Sequence, residues 1–456
     1  MKQHHFLAAA ALALCAVSAQ ATDLMQAWQA ARQHDPQAAV ADAARAAGET
    51  RRAQGASLWR PNVMLSGGAG RMSASSATRG AQFAAPGFGQ SSGVSFDTSV
   101  NNGTSTRWSV TARQPLYNPE RSAQRQQLEI GADSADLQWQ AAQQDLMLRT
   151  AQRYFDVVLA ERKLALLRQQ QAAVDRAFTE AKDRFELGDA PVTDTHEASA
   201  RASGLQAQVL AAQSELELAQ TILLDATGLA PDALQVMAPA GEVAPRDLPP
   251  LAQWLTLAQE NNPLLRLQRA NADAARQETR KHSALAAPTL DLVAQAGRER
   301  LSGSGDFGAA SNTSRQQMIG VQLNVPLYTS GLRSAKLDEA LRLEDKARAE
   351  VELARQQTSQ QMRAAWLGLQ TGQARLTALT EAVTASQARL EATRLGRQVG
   401  DRTTLDLLNA ENDASAADLA LLQARIEVLH NRLRLQTLAG QLDETRLQTV
   451  NALLQP

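Results

Sequence analysis

The sequence predicts an α+β membrane protein, an internally repeated chain in which barrel strands alternate with very long coiled-coil helices. Three observations carry that fold class. The chain repeats its parts in order. Four runs alternate apolar and polar residues with period two. No proline occurs between Pro119 and Pro191, or between Pro326 and Pro456, which leaves room for two helical hairpins.

The repeat is read from matched punctuation. HDP at His34 to Pro36 is answered by NNP at Asn261 to Pro263, an offset of 227, and Pro61 is answered by Pro288 at the same offset. PLY at Pro115 to Tyr117 returns at Pro326 to Tyr328, an offset of 211. LGDAPVTD, Leu187 to Asp194, returns as VGDRTTLD, Val399 to Asp406, and Thr227-Gly228 as Ala439-Gly440, both at 212. The offset changes mainly between Pro61 and Pro115, which marks a surface loop there. Each repeat is expected to run helix, strand, hairpin loop, strand, very long helix, turn, helix. The first repeat is set at 22–230 and a Pro-rich linker at 231–250. The second repeat follows at 251–440, with a C-terminal segment at 441–456.

Residues 1–21 read as a signal peptide. Lys2 precedes an apolar run from Phe6 to Val17, and Ala19-Gln20-Ala21 is an A-x-A cleavage site, giving Thr22 as the mature start. Cys15, the only cysteine, lies inside that run, and Leu14 stands where a lipid-attachment site needs a small residue. The mature chain is therefore expected to carry no thiol and no disulfide. Beyond the signal, no stretch of about 18 apolar residues exists to form a transmembrane helix. The formal net charge of -1 gives no basic face for nucleic acid. Aromatic residues at 4% suit long helices with thin seams better than a thick core.

The strand runs follow. Trp108, Val110 and Ala112 alternate with Arg107, Ser109, Thr111 and Arg113. Leu290, Leu292, Ala294 and Ala296 alternate with Asp291 and Gln295, and Ile319, Val321, Leu323 and Val325 with Gly320, Gln322 and Asn324. Asn62 to Gly70 is the fourth run. About ten alternating residues make a barrel strand, apolar toward lipid and polar toward the lumen. The same pattern fits a half-buried strand of a soluble sheet. Export, Tyr117 and Tyr328 at strand ends, and Gly/Ser-rich hairpin loops at Ser73 to Asn102 and Ser302 to Ser314 favour the barrel.

The helices are read from length and seam. One from about residue 120 to 187 is on the order of 100 Å long. Leu164, Leu167, Gln171, Val174, Phe178, Ala181 and Phe185 are spaced alternately three and four. The seam recurs as Leu376, Leu379, Val383, Ser386, Leu390, Thr393 and Arg397. That is a coiled-coil heptad spacing. Gly188 and Gly400 fit the helix C-termini at the two turns. Thr193 and Thr404 lie near the start of each return helix, with the capping residue left open.

Four strands cannot close a barrel, and lipid offers no partner for a strand edge. The chain is therefore expected to oligomerise: a dimer supplies eight strands and a trimer twelve. Helices from the same chains would continue the wall as a tube, which makes the assembly a conduit.

Over the whole mature chain the sequence resembles the TolC family of outer-membrane channel-tunnels of efflux and type I secretion. LMQAWQAARQHDP, RPN, APTLDL, QPLYN, VPLYTSG, LGDAPVTD and VGDRTTLDLLNAE carry the resemblance. It implies a homotrimer with a twelve-stranded barrel, a twelve-helix periplasmic tunnel, and an equatorial belt from the linker and C-terminus. It also implies a periplasmic adaptor and an inner-membrane ABC, RND or MFS pump as partners, in outer-membrane lipid. Thr193 and Asp194 fall where the family places the acceptors of its closing network, and Arg402 falls on its arginine. Arg397 replaces the family's tyrosine. Asp406 falls on the acidic ring of the lumen. The second acidic layer is Asn409 here, with Glu197 as its first-repeat counterpart. Two plainer readings stand beside these. Asp194 and Asp406 also suit helix N-termini through the macrodipole, and Arg402 suits a solvated surface.

Four histidines follow the signal, His34, His196, His282 and His430, without ligand spacing such as HExxH. No GxSxG, P-loop or Rossmann glycine pattern occurs. No enzyme, metal or cofactor is expected. The alternative from another class is a periplasmic coiled-coil adaptor or structural spacer without a barrel, which needs helical hairpins but not four alternating strands.

Overall fold

A computed structural model of the chain describes residues 23–87, 89–189, 191–229, 238–239, 243, 247–306 and 308–455. The signal-peptide reading and most of the linker lie outside the described residues. The described chain forms two compact units. One comprises Glu49–Ala132 and Asn271–Ala347, and the other holds the remainder.

The first unit is built on one antiparallel sheet. Its strands are β1 (Asn62–Ala85), β2 (Gly89–Tyr117), β4 (Thr289–Gly305) and β5 (Gly308–Asn324), in the order β1-β2-β4-β5. Register gathers the apolar alternation onto one face, because directly opposed residues point the same way. Val63, Ala112, Ala294 and Ile319 form one rung of that face. Leu65, Val110 and Ala296 form the next, with Gln317 as its β5 member, and Leu292 with Val321 and Leu290 with Leu323 continue the face. This face is open: Ile319 is 77% and Leu65 72% exposed. The opposite face is polar. Arg113 lies 3.4 Å from the buried Asp291 carboxylate and donates to Gln322 at 3.0 Å, and the Ser66 and Ser109 hydroxyls meet at 2.8 Å.

The hairpin loops expected at Ser73 to Asn102 and Ser302 to Ser314 are instead strand. Pairing continues to Ala85 opposite Gly89 and to Gly305 opposite Gly308. Strands of 24, 29, 17 and 17 residues replace the expected ten. The reason is physical. A ladder is made by backbone groups, and a Ser/Thr/Gly-rich stretch wetted on both faces has no apolar alternation to announce it.

The helices are α1 (Leu24–His34), α2 (Pro36–Ser57), α3 (Pro119–Glu186), α4 (Val192–Thr227), α5 (Leu251–Asn261), α6 (Pro263–Ala284), α7 (Leu332–Gln398), α8 (Thr404–Leu438) and α9 (Glu444–Asn451). At 68 and 67 residues, α3 and α7 are each about 100 Å long. The short helices break where proline disfavours the helical conformation of the residue before it. Asp35 and Asn262 are extended there, and their side chains accept from the Gln37 and Leu265 amides at 2.7 and 2.9 Å. The two copies are then tied differently. Asp35 faces Arg149 and Arg153 at 3.5 and 3.7 Å, whereas Asn262 donates to the Leu438 carbonyl at 2.9 Å.

The second unit has its main core where α1, α9, the middle of α3, and facing stretches of α7 and α8 meet. Trp28, Tyr154, Phe155, Met362, Leu429, Leu433 and Leu447 are buried in it. Asn451, at the end of α9, ties α9 to the start of α1: its side chain accepts from the Leu24 amide and donates to Asp23, each at 2.9 Å. Two short strands not foreseen, β3 (Ala238–Pro239) and β6 (Leu454–Gln455), pair antiparallel. Away from this core the packing thins to small seams. Leu164 packs with Val209 and Ala212, and Val174 and Ala177 with Leu408. Every predicted seam position from Leu376 to Arg397 is at least partly covered, whereas Phe185, the last position of the first seam, is 43% exposed because the α3 end leaves it without a facing neighbour among the described residues.

Candidate functional site at the helical turns

The two hairpin turns end their long helices by the same backbone device. At the first, Gly188 has φ +77° and donates to Phe185 O at 2.9 Å, while Asp189 N donates to Arg184 O at 2.8 Å. At the second, Gly400 has φ +82° and donates to Arg397 O at 3.1 Å, while Asp401 N donates to Gly396 O at 2.8 Å. This six-to-one and five-to-two pairing is the Schellman motif, and it needs a left-handed residue at the glycine position. The residue before each glycine is apolar and bare: Leu187 is 83% and Val399 81% exposed.

The return helices start differently. Thr403 caps α8: Asp406 N donates to Thr403 Oγ1 at 3.1 Å, and Thr403 N donates to the Asp406 carboxylate at 3.0 Å. This is a capping box. The capping residue, left open by the sequence, is Thr403 rather than its neighbour Thr404, and T-x-x-D at Thr403 to Asp406 is its signal. At the first turn Pro191 holds the capping position and supplies no side-chain bond. Thr193 and Asp194 are exposed in the first turn of α4, where the Thr193 hydroxyl lies 3.4 Å from Asp194 Oδ1.

Asp406 is held below the usual carboxylate value. The Thr403 backbone N–H is the main cause, followed by the Thr403 hydroxyl and the charges of Arg402 and Arg389. Its carboxylate is thus committed to its own helix start as well as open to solvent. Arg402 lies against the same turn, its amide bonded to Gly396 O at 3.3 Å and its side-chain stem packed over Gly396. Within the chain Arg402 and Asp194 are not brought together.

Near the turns, two polar links among the described residues join the hairpins. Arg397, at the end of α7, donates to Glu180 on α3. Arg201 on α4 donates to Asn409 on α8 at 2.7 Å. Glu180 and Arg201 were not among the sequence-derived residues, because nothing local marks two partners more than 200 residues apart. Glu197 is exposed on α4. Farther along, Arg162 binds Asp418 at 2.6 Å across α3 and α8, and Arg389 binds Asp413 at 2.8 Å across α7 and α8.

Among the described residues, no cluster of His, Cys, Asp and Glu has the arrangement of a metal site, and no helix is long and apolar enough to cross a membrane. The arrangement is a polar joint between two helical hairpins.

Comparison with known proteins agrees with that architecture. The family model described as outer membrane efflux protein matches residues 27–229 and 254–441. The chain is 29% identical to the proteases secretion protein PrtF of Dickeya chrysanthemi, over 100% of this chain and 96% of that one. It is 31% identical to the outer membrane protein TolC of Vibrio cholerae, over 75% and 78% of the two chains. The solved structure of the outer membrane protein VceC from Vibrio cholerae superposes with a TM-score of 0.71 at 18% identity, covering 91% of this chain and 96% of that one. The helical tunnel and sheet are the fold of that group. The chain belongs to the outer membrane efflux protein family, and is an outer-membrane protein extending into the periplasm.

Proposed function

We propose that three copies of this chain close one twelve-stranded barrel above a common helical tunnel, forming the exit duct of a tripartite efflux or type I secretion system. The observation that carries this reading is the sheet. It has two unpaired edges, β1 and β5, and a largely apolar face open to its surroundings. In lipid such edges must pair with another copy. Two copies would give eight strands, whose interior side chains fill. Three leave a passage. A soluble spacer would have no use for Leu65, Ile319 and Val321 facing outward.

The duct conducts passively what an inner-membrane ABC, RND or MFS pump delivers through a periplasmic adaptor. The bare Leu187 and Val399 at the turns are surfaces for such a partner to cover. The periplasmic end is closed by polar links between hairpins, Arg397 with Glu180 and Arg201 with Asn409, and by pairing of Arg402 with Asp194 of a neighbouring copy. Asp406, repeated three times around the axis, draws cations into the narrow end, with Glu197 adding charge where Asn409 has none. The similarity to a proteases secretion protein and to TolC is compatible with protein and small-molecule cargo alike, since the pump selects it.

The test is native mass measurement in detergent together with planar-bilayer recording. Three chains per particle and a low, cation-selective conductance are expected. A stable monomer that conducts by itself would refute the shared barrel.

A further inference from the structure

Toward the hairpin ends the apolar face of the sheet, already interrupted by Gln317 opposite Ala296, gives way to a rung where Gly67, Trp108, Arg298 and Arg315 stand side by side. The next rung on the same face is Ala69, Thr106, Arg300 and Thr313, and the next is Arg71, Thr104, Ser302 and Ser311. Four arginines thus lie on three successive rungs with no carboxylate among them. Arg298 and Arg315 are directly opposed across β4 and β5. Like charges in that relation destabilise a strand pair.

All four arginines are exposed. None makes a salt bridge or side-chain hydrogen bond among the described residues. Glu299 and Asp291, the nearby carboxylates of β4, point to the other face, where Glu299 accepts from Ser105 at 3.2 Å and Asp291 meets Arg113. Arg113 has its counter-charge; the outward arginines do not. Residues two apart on a strand are separated by about 7 Å, and neighbouring strands by about 4.8 Å. Arg298, Arg300 and Arg315 therefore stand about 5–9 Å apart on one face, a spacing that one or two phosphate groups can bridge. Guanidinium groups bind phosphate oxygens in pairs.

We infer that Arg298, Arg300 and Arg315, with Arg71 at the margin, form a docking patch for the phosphate groups of a lipid in the membrane leaflet nearest the hairpin ends. The patch is continuous with the apolar band, and the exposed Trp108 sits at the boundary, the level at which aromatic side chains meet lipid headgroups. Lipid is favoured over a free anion because one molecule satisfies both halves of the surface. Its chains cover the apolar rungs while its phosphates neutralise the rung above. The inference rests on the membrane-barrel reading.

The test uses the purified full chain in detergent and native mass spectrometry. The probes are a bisphosphorylated disaccharide lipid, the same lipid without phosphates, and inorganic pyrophosphate. The unaltered protein should retain the phosphorylated lipid at least tenfold more strongly than its dephosphorylated form, and pyrophosphate should compete poorly. Combined Arg298→Gln, Arg300→Gln and Arg315→Gln should remove most of that preference, while the lysine versions retain part of it. The single variant Arg315→Gln gives a partial loss if the triple variant assembles badly. Equal retention of the two lipids by the unaltered protein would overturn the patch, as would an unchanged preference in the glutamine variants. Pyrophosphate binding as tightly as the lipid would make it a free-anion site instead. Failure of the patch alone leaves oligomer mass and bilayer conductance normal. Loss of both would mean that the barrel reading has failed and the patch with it.

Discussion

Glu180→Ala removes the acceptor to which Arg397 donates across the two hairpins. The side chains are 33% and 43% exposed, so the pair is worth about 0.5–1 kcal/mol. Three symmetric copies released together change the closed state by about 2 kcal/mol, roughly a 30-fold shift in equilibrium. If the resting channel is closed by about 100 to 1, the open fraction rises from about 1% to about 20–25%. The assay is single-channel recording in planar bilayers, with trimer mass checked in detergent. Arg397→Ser should match Glu180→Ala, and the double variant should add little to either, because the second change finds no pair left to break. Exchanging the charges, Glu180→Arg with Arg397→Glu, should restore much of the closure. Persistent trimers with unchanged open probability in both single variants would refute the reasoning and leave this pair as a surface contact.

Asp406→Ala should abolish cation selectivity and block by multivalent cations from the periplasmic side, whereas Thr403→Val should lower thermal stability by about 1 kcal/mol and spare selectivity. Because the folded Asp406 titrates below the ordinary 3.8, selectivity should stay level as pH falls from 7 toward that value; a midpoint above it contradicts the ring. His430 has the opposite practical consequence. Burial, then the charge of Arg434, lowers its pKa below the ordinary 6.5, so the unfolded chain binds more protons and stability is lost as pH falls through that value. His430→Gln should flatten the Tm profile between pH 7.5 and 5, and an unchanged slope would place the proton uptake elsewhere. Gly440→Ala should impair folding severely, since a Cβ there would lie 2.2 Å from Asn261 O at a φ of +66°; assembly at normal yield and Tm would show that this crossing relaxes freely.

The tip of the molecule was only partly legible in the sequence. The repeated Gly-Asp located both turns, and proline absence bounded both long helices, because backbone conformation depends on the residues that adopt it. Thr403 is legible as the start of T-x-x-D, the spacing of a capping box. Glu180 and Arg201 were not legible, since their partners Arg397 and Asn409 become neighbours only when two hairpins pack. The alternation at Ile319, Val321 and Leu323 declared a strand with one apolar face. The Ser/Gly-rich ends of the same strands declared nothing, because backbone pairing leaves no mark on side-chain pattern.

By itself, then, the sequence determined what is local and periodic: the helix lengths, the heptad seams, the turn glycines, the strand alternation and the doubling of the whole set. The tertiary structure decided what depends on register and long-range packing. It opposed Arg298 to Arg315, committed Asp406 to Thr403, and gave the equivalent Asp35 and Asn262 an ionic and a neutral partner respectively. A residue type sets what bonds a side chain is able to make, while its partner is set by where distant segments of the chain come to rest.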